Sequence, residues 1–212
     1  METDIIIKET VTGLLSNNVY LVINKNKNES FVVDPSYHAD KIVEMIEESG
    51  TDLKGILITH GHFDHIMSVS DIKKKYNVPV WAGADEKEII SDAKTNMSRP
   101  MIRKPVSEEA DNWVADGEII TVAGITVKCI NTPGHTVGSV CWYIQDHDIL
   151  LSGDTLFFTS HGRTDFPTGS PEQMENSLKN ILFKLPDHTK VYPGHGEPTT
   201  IGHEKKYNMI NH

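Results

Sequence analysis

Residues 55–65 read Gly-Ile-Leu-Ile-Thr-His-Gly-His-Phe-Asp-His, a short apolar run followed at once by four side chains that can bind a metal ion. The apolar run is typical of a buried strand. A chain that leaves the end of a strand can direct alternate side chains, His60 and His62, at one ion. The turn that follows can direct Asp64 and His65 at a neighbouring position. The segment therefore predicts a strand that ends at a metal site.

The chemistry of these four side chains narrows the choice of ion. Imidazole nitrogens and carboxylate oxygens suit zinc, iron or manganese, and Gly61 permits a tight backbone path between the ligands. The alternative interpretation is a polar turn that contains several histidines by chance, a risk that any short motif carries. Three histidines and an aspartate directly beyond an apolar strand favour the metal site.

Three further polar residues occupy the same kind of position, each after a short apolar run and each preceded by glycine. They are His135 in Thr-Pro-Gly-His-Thr, Asp154 in Ser-Gly-Asp-Thr and His195 in Tyr-Pro-Gly-His-Gly. Taken singly, each would more often be an ordinary turn residue. If the strands before them end at the same rim, however, all seven groups meet there.

Seven candidate ligands exceed the need of one tetrahedral ion and suit two. A carboxylate has two oxygens and can bridge, so Asp154 is the natural shared ligand. Two ions about 3.5 to 4 Å apart convert a bridging water into a hydroxide nucleophile near neutral pH, and they polarise a carbonyl group. The pattern therefore predicts metal-assisted hydrolysis.

The rest of the chain predicts strands mixed with amphipathic helices. We expect strands at residues 5–7, 19–23, 31–34, 55–59, 78–81, 140–144, 149–151 and 190–192, a hairpin between 116 and 127, and helices at 38–49, 66–76, 171–185 and 200–209. This order fits helices that cover both outer faces of a sandwich of two sheets. No domain boundary is apparent, so residues 1–212 are treated as one domain, and the polar segment 91–113 is interpreted as a lid or binding loop.

Composition excludes several classes of protein. The 212 residues carry a formal net charge of −10, which disfavours binding to a nucleic-acid backbone. The N-terminus has no basic and apolar signal peptide, and no apolar run approaches the length of a membrane span. Cys129 and Cys141 are too far apart for a CxxC motif and are expected to be buried, reduced thiols. We therefore expect a cytoplasmic protein that does not bind membranes, and nothing in the sequence indicates an oligomeric state.

The candidate ligands, taken in order, resemble those of the metallo-β-lactamase superfamily: His60, His62, Asp64, His65, His135, Asp154 and His195. The resemblance covers nearly the whole chain. It implies a four-layer αββα sandwich in which His60, His62 and His135 bind one metal ion. Asp64, His65 and His195 would then bind a second ion, with Asp154 bridging the two. The expected cofactor is two divalent ions, zinc first, with iron or manganese as alternatives.

Within that superfamily, three segments resemble the glyoxalase II group: Thr-Pro-Gly-His-Thr at 132–136, Gly-Asp-Thr-Leu-Phe at 153–157 and Pro-Gly-His-Gly at 193–196. Gly-Arg-Thr-Asp-Phe-Pro at 162–167 resembles the short bacterial glyoxalase II-like proteins. The commonest β-lactamase subclass has cysteine where this chain has Asp154, so the resemblance disfavours antibiotic hydrolysis. The chain ends 17 residues after His195, so we expect no added helical domain of the kind that binds glutathione in full-length glyoxalase II.

Arg163 and Asp165 are candidate substrate-side residues. The guanidinium of Arg163 could order the site or contact a substrate carboxylate through its planar fork. The alternative is a structural ion pair between Arg163 and Asp165 within a turn.

The resemblance implies hydrolysis of a small thioester, such as S-lactoylglutathione or the ester of another low-molecular-weight thiol. Asp64 is predicted to orient the nucleophile as well as to bind metal. A persulfide dioxygenase, which shares the fold and uses one iron, and a lactonase are the alternative enzymes. A metal-binding module without catalysis would require a lost ligand, and all seven candidates are present.

Overall fold

The computed structural model describes residues 4–211. Residues 1–3, part of the segment for which no signal peptide is expected, and residue 212 lie outside the described range. The strands are Ile5–Thr12 (β1), Asn17–Asn24 (β2), Glu29–Val33 (β3), Asp52–Ile58 (β4), Val80–Gly83 (β5), Asn112–Val114 (β6), Ile119–Val122 (β7), Ile125–Asn131 (β8), Val140–Ile144 (β9), Ile149–Gly153 (β10), Leu156–Phe157 (β11), Ser160–His161 (β12), Lys190–Pro193 (β13) and Thr199–Thr200 (β14). The α-helices are Ala39–Ser49 (α1), Phe63–Ile66 (α2), Val69–Tyr76 (α3), Lys87–Ser91 (α4), Ser98–Ile102 (α5), Pro171–Asn176 (α6) and Ile201–Tyr207 (α7).

Most strands belong to two six-stranded sheets of mixed direction. The first sheet has the order β1-β2-β3-β4-β5-β6, antiparallel from β1 to β3 and parallel from β3 to β6. The second has the order β14-β13-β10-β9-β8-β7, and β10 and β13 are its parallel pair. Strands β11 and β12 form a separate small hairpin.

Three apolar clusters show that the sheets and helices form four layers. The central cluster joins the facing sides of the two sheets, with Phe31 from β3 and Trp142 from β9 fully buried within it. A second cluster packs α1 and α3 on the outer face of the first sheet, and a third packs α6 and α7 on the outer face of the second. Because each sheet buries both faces, strand β2 is buried at every position rather than alternating. The predicted αββα sandwich is confirmed.

The structure corrects three helix predictions. The helix expected at 66–76 begins earlier, at Phe63, and is interrupted at residues 67–68 between α2 and α3. The helix expected at 171–185 begins as predicted, with Ser170 as its N-cap accepting from the Gln173 amide, but it passes into a π-helical turn at Ser177–Ile181 and a 3-10 turn at Leu182–Lys184. The helix expected at 200–209 ends at Tyr207 and is followed by a 3-10 turn.

The segment 91–113 is more regular than expected. It contains the short helix α5 and most of the edge strand β6, which pairs with β5. Tertiary pairing at the sheet edge orders this strand, and a three-residue strand leaves almost no periodic signal in the sequence. No helix within residues 4–211 is both long and apolar enough to span a bilayer.

The ends of four strands meet at one edge of the sandwich. Strand β4 of the first sheet runs directly into His60, and β10 and β13 of the second run into Asp154 and His195. His135 lies in the loop from β8 to β9. A bridge between Asn17 and His195 joins the two sheets at this edge. The topology therefore gathers residues that are far apart in sequence.

Candidate metal centre

One group of candidate ligands consists of His60, His62 and His135. One side-chain nitrogen of each lies within 4.8 Å of those of the other two, and the closest pair, His62 Nδ1 and His135 Nε2, is 2.8 Å apart. All three residues are buried, with at most 3% of their surface exposed. This spacing is that of imidazoles arranged around a common point.

A second group consists of Asp64, His65 and His195, whose ligand atoms also lie within 4.8 Å of one another. Asp64 Oδ2 is 3.6 Å from His65 Nε2 and 3.5 Å from His195 Nε2. Helix α2 places Asp64 and His65 side by side, whereas His195 comes from the loop after β13.

Asp154 lies between the two groups. Its Oδ1 is 3.3 Å from His65 Nε2, and its Oδ2 is 3.5 Å from His195 Nε2 and 3.6 Å from His135 Nε2. One carboxylate thus faces histidines of both groups. The structure brings together all seven residues that the sequence indicated.

Hydrogen bonds on the outer side of the histidines fix their tautomers. His135 Nδ1 lies 2.7 Å from the carbonyl of Arg163, and His195 Nδ1 lies 3.0 Å from the carbonyl of Leu15. A carbonyl can only accept, so both Nδ1 atoms carry the proton and both Nε2 lone pairs face the centre.

His60 is held in the same tautomer by Thr59. The hydroxyl of Thr59 donates its proton to Asp34 at 2.6 Å, so it accepts from His60 Nδ1 at 3.1 Å. This leaves His60 Nε2 buried with no hydrogen-bond partner among the described residues. A buried lone pair without a partner is costly in a folded protein, and a divalent cation would satisfy it. The nitrogen and oxygen donors of both groups fit such an ion.

The group of His60, His62 and His135 is held in the neutral form. Burial lowers the pKa of His60 well below its ordinary value, and the other histidines lower it further. Burial and the adjacent His135 lower the pKa of His62 to about 3, and burial also lowers the pKa of His135. Neutral imidazole is the form that binds metal.

The carboxylates of the centre are ionised. Burial alone would raise the pKa of Asp64 and Asp154, but the facing histidines outweigh it. They lower the pKa of Asp64 below its ordinary range and that of Asp154 to about 2. The same contacts raise the pKa of His65 and His195 against the effect of burial. Where a metal ion binds, it replaces the protons that these histidines would otherwise hold.

Two buried residues that bond directly to candidate ligands were not identified from the sequence. Asp34 accepts from His65 Nδ1 at 2.9 Å and from the Thr59 amide at 2.7 Å. Asn17 donates from Nδ2 to Asp64 Oδ2 at 2.8 Å, and the same atom is 3.3 Å from His65 Nε2. The only sequence signal for Asp34 is its place at the end of a strand, before a proline, and Asn17 reads as part of a turn.

Asp34→Asn should weaken metal binding at the group that contains His65 by roughly 10- to 100-fold, the usual cost of losing the carboxylate behind a metal-binding histidine. An amide can still accept from His65 Nδ1 only if its NH2 group then faces the backbone N–H of Thr59, where two donors would oppose each other. Competition with a chelator of known affinity measures the effect. Unchanged affinity in the folded variant would contradict the assigned role of Asp34.

The centre opens into a cavity of about 320 Å³. Besides candidate ligands, its walls are mostly apolar: Leu15, Phe63, Met97, Met101, Phe157 and Phe166, together with Arg163. Met97 and Met101 come from the 91–113 segment, which therefore contributes to the wall of the site. The cavity can accept a small molecule next to the candidate metal positions.

Arg163 forms the ion pair with Asp165 that the sequence offered as one interpretation. Two parallel hydrogen bonds of 2.7 Å join their side chains, and the guanidinium lies 3.8 Å from the centroid of the Phe166 ring. Both residues are largely exposed. Arg163 lines the cavity, and contact of either residue with substrate stays a prediction. Cys129 and Cys141 are buried and free, as expected.

Comparison with known proteins places the chain in a family. Residues 12–195 match the model of the metallo-beta-lactamase superfamily, and this range contains every candidate ligand. The chain belongs to that superfamily and is a metal-dependent hydrolase of it.

Two curated relatives are similar along nearly their whole length. The chain is 35% identical to a probable metallo-hydrolase, YqgX, of Bacillus subtilis, covering 92% of each protein. It is 33% identical to the hydroxyacylglutathione hydrolase GloC of Haemophilus influenzae, covering 90% of this chain and 91% of that protein.

Two solved structures are also similar. The B3 metallo-beta-lactamase BLEG-1 superposes with a TM-score of 0.92 at 32% identity, over 97% of this chain and 99% of that one. TTHA1623 in a di-iron-bound form superposes with a TM-score of 0.84 at 28% identity, over 96% of this chain and 99% of that one.

Proposed function

We propose that this protein hydrolyses a small thioester, such as S-lactoylglutathione or a related thiol ester, with two divalent metal ions. The position of Asp154 between two groups of three ligands carries the proposal. The similarity to a hydroxyacylglutathione hydrolase over 90% of the chain supports the choice of substrate.

In this proposal, the first ion is held by His60, His62 and His135. The second is held by Asp64, His65 and His195, and Asp154 is shared. The first group is all nitrogen and electrically neutral, whereas the second contains a carboxylate. Zinc is the proposed metal because histidine and carboxylate ligands suit it, and iron is the main competitor because a structural relative binds two iron ions.

When bound, the two ions would supply a nucleophile from water at neutral pH and polarise the thioester carbonyl. The side chains of the protein position the water and the thioester for this reaction. Asp64, held by Asn17 at 2.8 Å, is placed to orient the attacking water through a hydrogen bond. The apolar side chains of the cavity wall exclude bulk water, which strengthens electrostatic interactions with the reacting carbonyl.

The deciding experiment measures metal content and turnover of S-lactoylglutathione on the same preparation. We expect two ions per chain, loss of turnover after chelation, and recovery on adding zinc. One iron per chain together with oxygen uptake on glutathione persulfide would instead establish the dioxygenase. Two bound ions without turnover of any thioester would leave the metal centre intact and reject the substrate.

β-Lactam hydrolysis is a second candidate, favoured by the structural similarity to BLEG-1. The sequence disfavours it because Asp154 stands where the commonest lactamase subclass has cysteine. Turnover of a chromogenic cephalosporin by the zinc-loaded protein separates the two functions. We expect its kcat/KM to be far below that for a thioester, and the reverse order would make the protein a lactamase.

A further inference from the structure

Glu86 is a buried acid next to the metal centre that belongs to neither group of candidate ligands. It lies in the 3-10 turn Ala84–Glu86 after β5 and is only 1% exposed. Its Oε1 accepts from the Gly61 amide at 2.7 Å, and its Oε2 accepts from the Thr136 hydroxyl at 3.0 Å. The amide of Gly138 is a third donor to the same carboxylate.

The three donors come from the two loops that carry one group of ligands. Gly61 lies between His60 and His62, and Thr136 directly follows His135. The two loops belong to different sheets, because one follows β4 and the other connects β8 with β9. Glu86 is thus a single side chain that holds both loops at a fixed separation.

The packing around this contact leaves little room for adjustment. A Cβ atom on Gly138 would lie 2.4 Å from Glu86 Oε2, and one on Gly61 would lie 2.7 Å from the backbone nitrogen of Ile90. Both separations are too short for real carbon atoms. The loop of Gly138 therefore approaches the turn that carries Glu86, and the loop of Gly61 approaches α4 directly after that turn, as closely as glycine allows.

A carboxylate at this position is costly for folding. Burial raises the pKa of Glu86 to about 7, against the three hydrogen bonds that lower it, and the adjacent Asp85 raises it further. A buried ionisable group without an opposite charge is disfavoured relative to an apolar one. A role in holding the metal-binding loops explains why an acid occupies this position.

We propose that Glu86 is a positioning residue that sets the distance from the loop of His60 and His62 to the loop of His135, and so determines the metal affinity of that group without touching the ion. The proposal rests on the proposed function only in that these histidines bind a metal. It assigns no substrate.

The test compares Glu86→Ala and Glu86→Gln with the wild-type protein. Glu88→Gln is the matched control, because Glu88 lies two residues away on α4 with an exposed side chain. Each protein is titrated with Zn²⁺ against a chelator, and with Co²⁺, whose visible absorption reports the geometry of its ligands. Melting of the metal-free proteins is measured in parallel.

We expect Glu86→Ala to weaken binding at the three-histidine position by roughly 10- to 100-fold and to alter the cobalt spectrum. The position that contains Asp64, His65 and His195 should keep its affinity. Glu86→Gln retains one acceptor oxygen and should recover part of the loss, whereas Glu88→Gln should match the wild type.

Native affinity and a native cobalt spectrum in folded Glu86→Ala would overturn the proposal. Equal weakening at both positions, in step with a lower melting temperature, would also overturn it by showing a general structural role. If Glu86→Ala does not fold, the comparison of Glu86→Gln with Glu88→Gln decides the question. Absence of thioester turnover in the wild type would reject the proposed function and leave these affinities interpretable.

Discussion

Asp154→Ala should lose tight binding of one of the two metal ions and slow thioester hydrolysis by roughly 10³-fold or more, which corresponds to about 4 kcal/mol in the barrier. Asp154 is the one candidate ligand whose carboxylate faces histidines of both groups, at 3.3 Å from His65 and 3.6 Å from His135. Its removal leaves each position with three ligands and no bridge. It also removes a negative charge that stabilises two adjacent cations.

The measurement is metal content by mass spectrometry, with kcat and KM on the same sample. Asp146→Ala is the matched control, because Asp146 is an exposed aspartate in the turn before β10, and it should retain both ions and full activity. If Asp154→Ala keeps two tightly bound ions and normal turnover, the bridging assignment is wrong.

Glu86→Gln should remove a stability change of about 3 kcal/mol that the metal-free protein shows between pH 4.5 and 7. Because burial raises the pKa of Glu86 from 4.5 to about 7, the folded protein holds a proton in this range that the unfolded chain has already released. The contribution of Glu86 to stability is therefore full below pH 4.5, falls as the pH rises, and is lost above about 7. Glutamine does not ionise and has no such dependence.

Urea unfolding of chelated wild type and variant at several pH values tests this expectation. The other titratable side chains are the same in both proteins, so the difference between the two curves reports Glu86. Replacement of the exposed Glu88 by glutamine should leave the wild-type curve unchanged. A constant difference between Glu86→Gln and wild type across this range would contradict the buried, ionisable state of Glu86.

Several features of the fold and the site could be predicted from residues close together in sequence. The segment from His60 to His65 combines an apolar strand with ligands at its end, and His135, Asp154 and His195 each repeat that arrangement with a preceding glycine. Strand-like apolar runs and amphipathic helices predicted the two covered sheets. A helix buried on one face leaves a periodic signal, and a strand buried on both faces leaves a continuous apolar run.

Other features could not be predicted because no local signal encodes them. The π-helical turn at Ser177–Ile181 and the edge strand β6 depend on what packs against them. In the sequence, Asn17 looks like a turn residue and Asp34 like the end of a strand. Glu86 is one acidic residue among many. Each becomes part of the centre only through a hydrogen bond to a residue at least 25 positions away.

The sequence alone identified the strand-end cluster from His60 to His65 and the three matching residues after it, because only a few residue types bind metal ions and here each follows a short apolar run. The tertiary structure decided which of these residues share an ion position and which buried acids and amides hold them in place. The physical reason is that ligand atoms from loops of two different sheets must lie within a few ångströms of one another to share an ion. Only the packed sandwich brings those loops together.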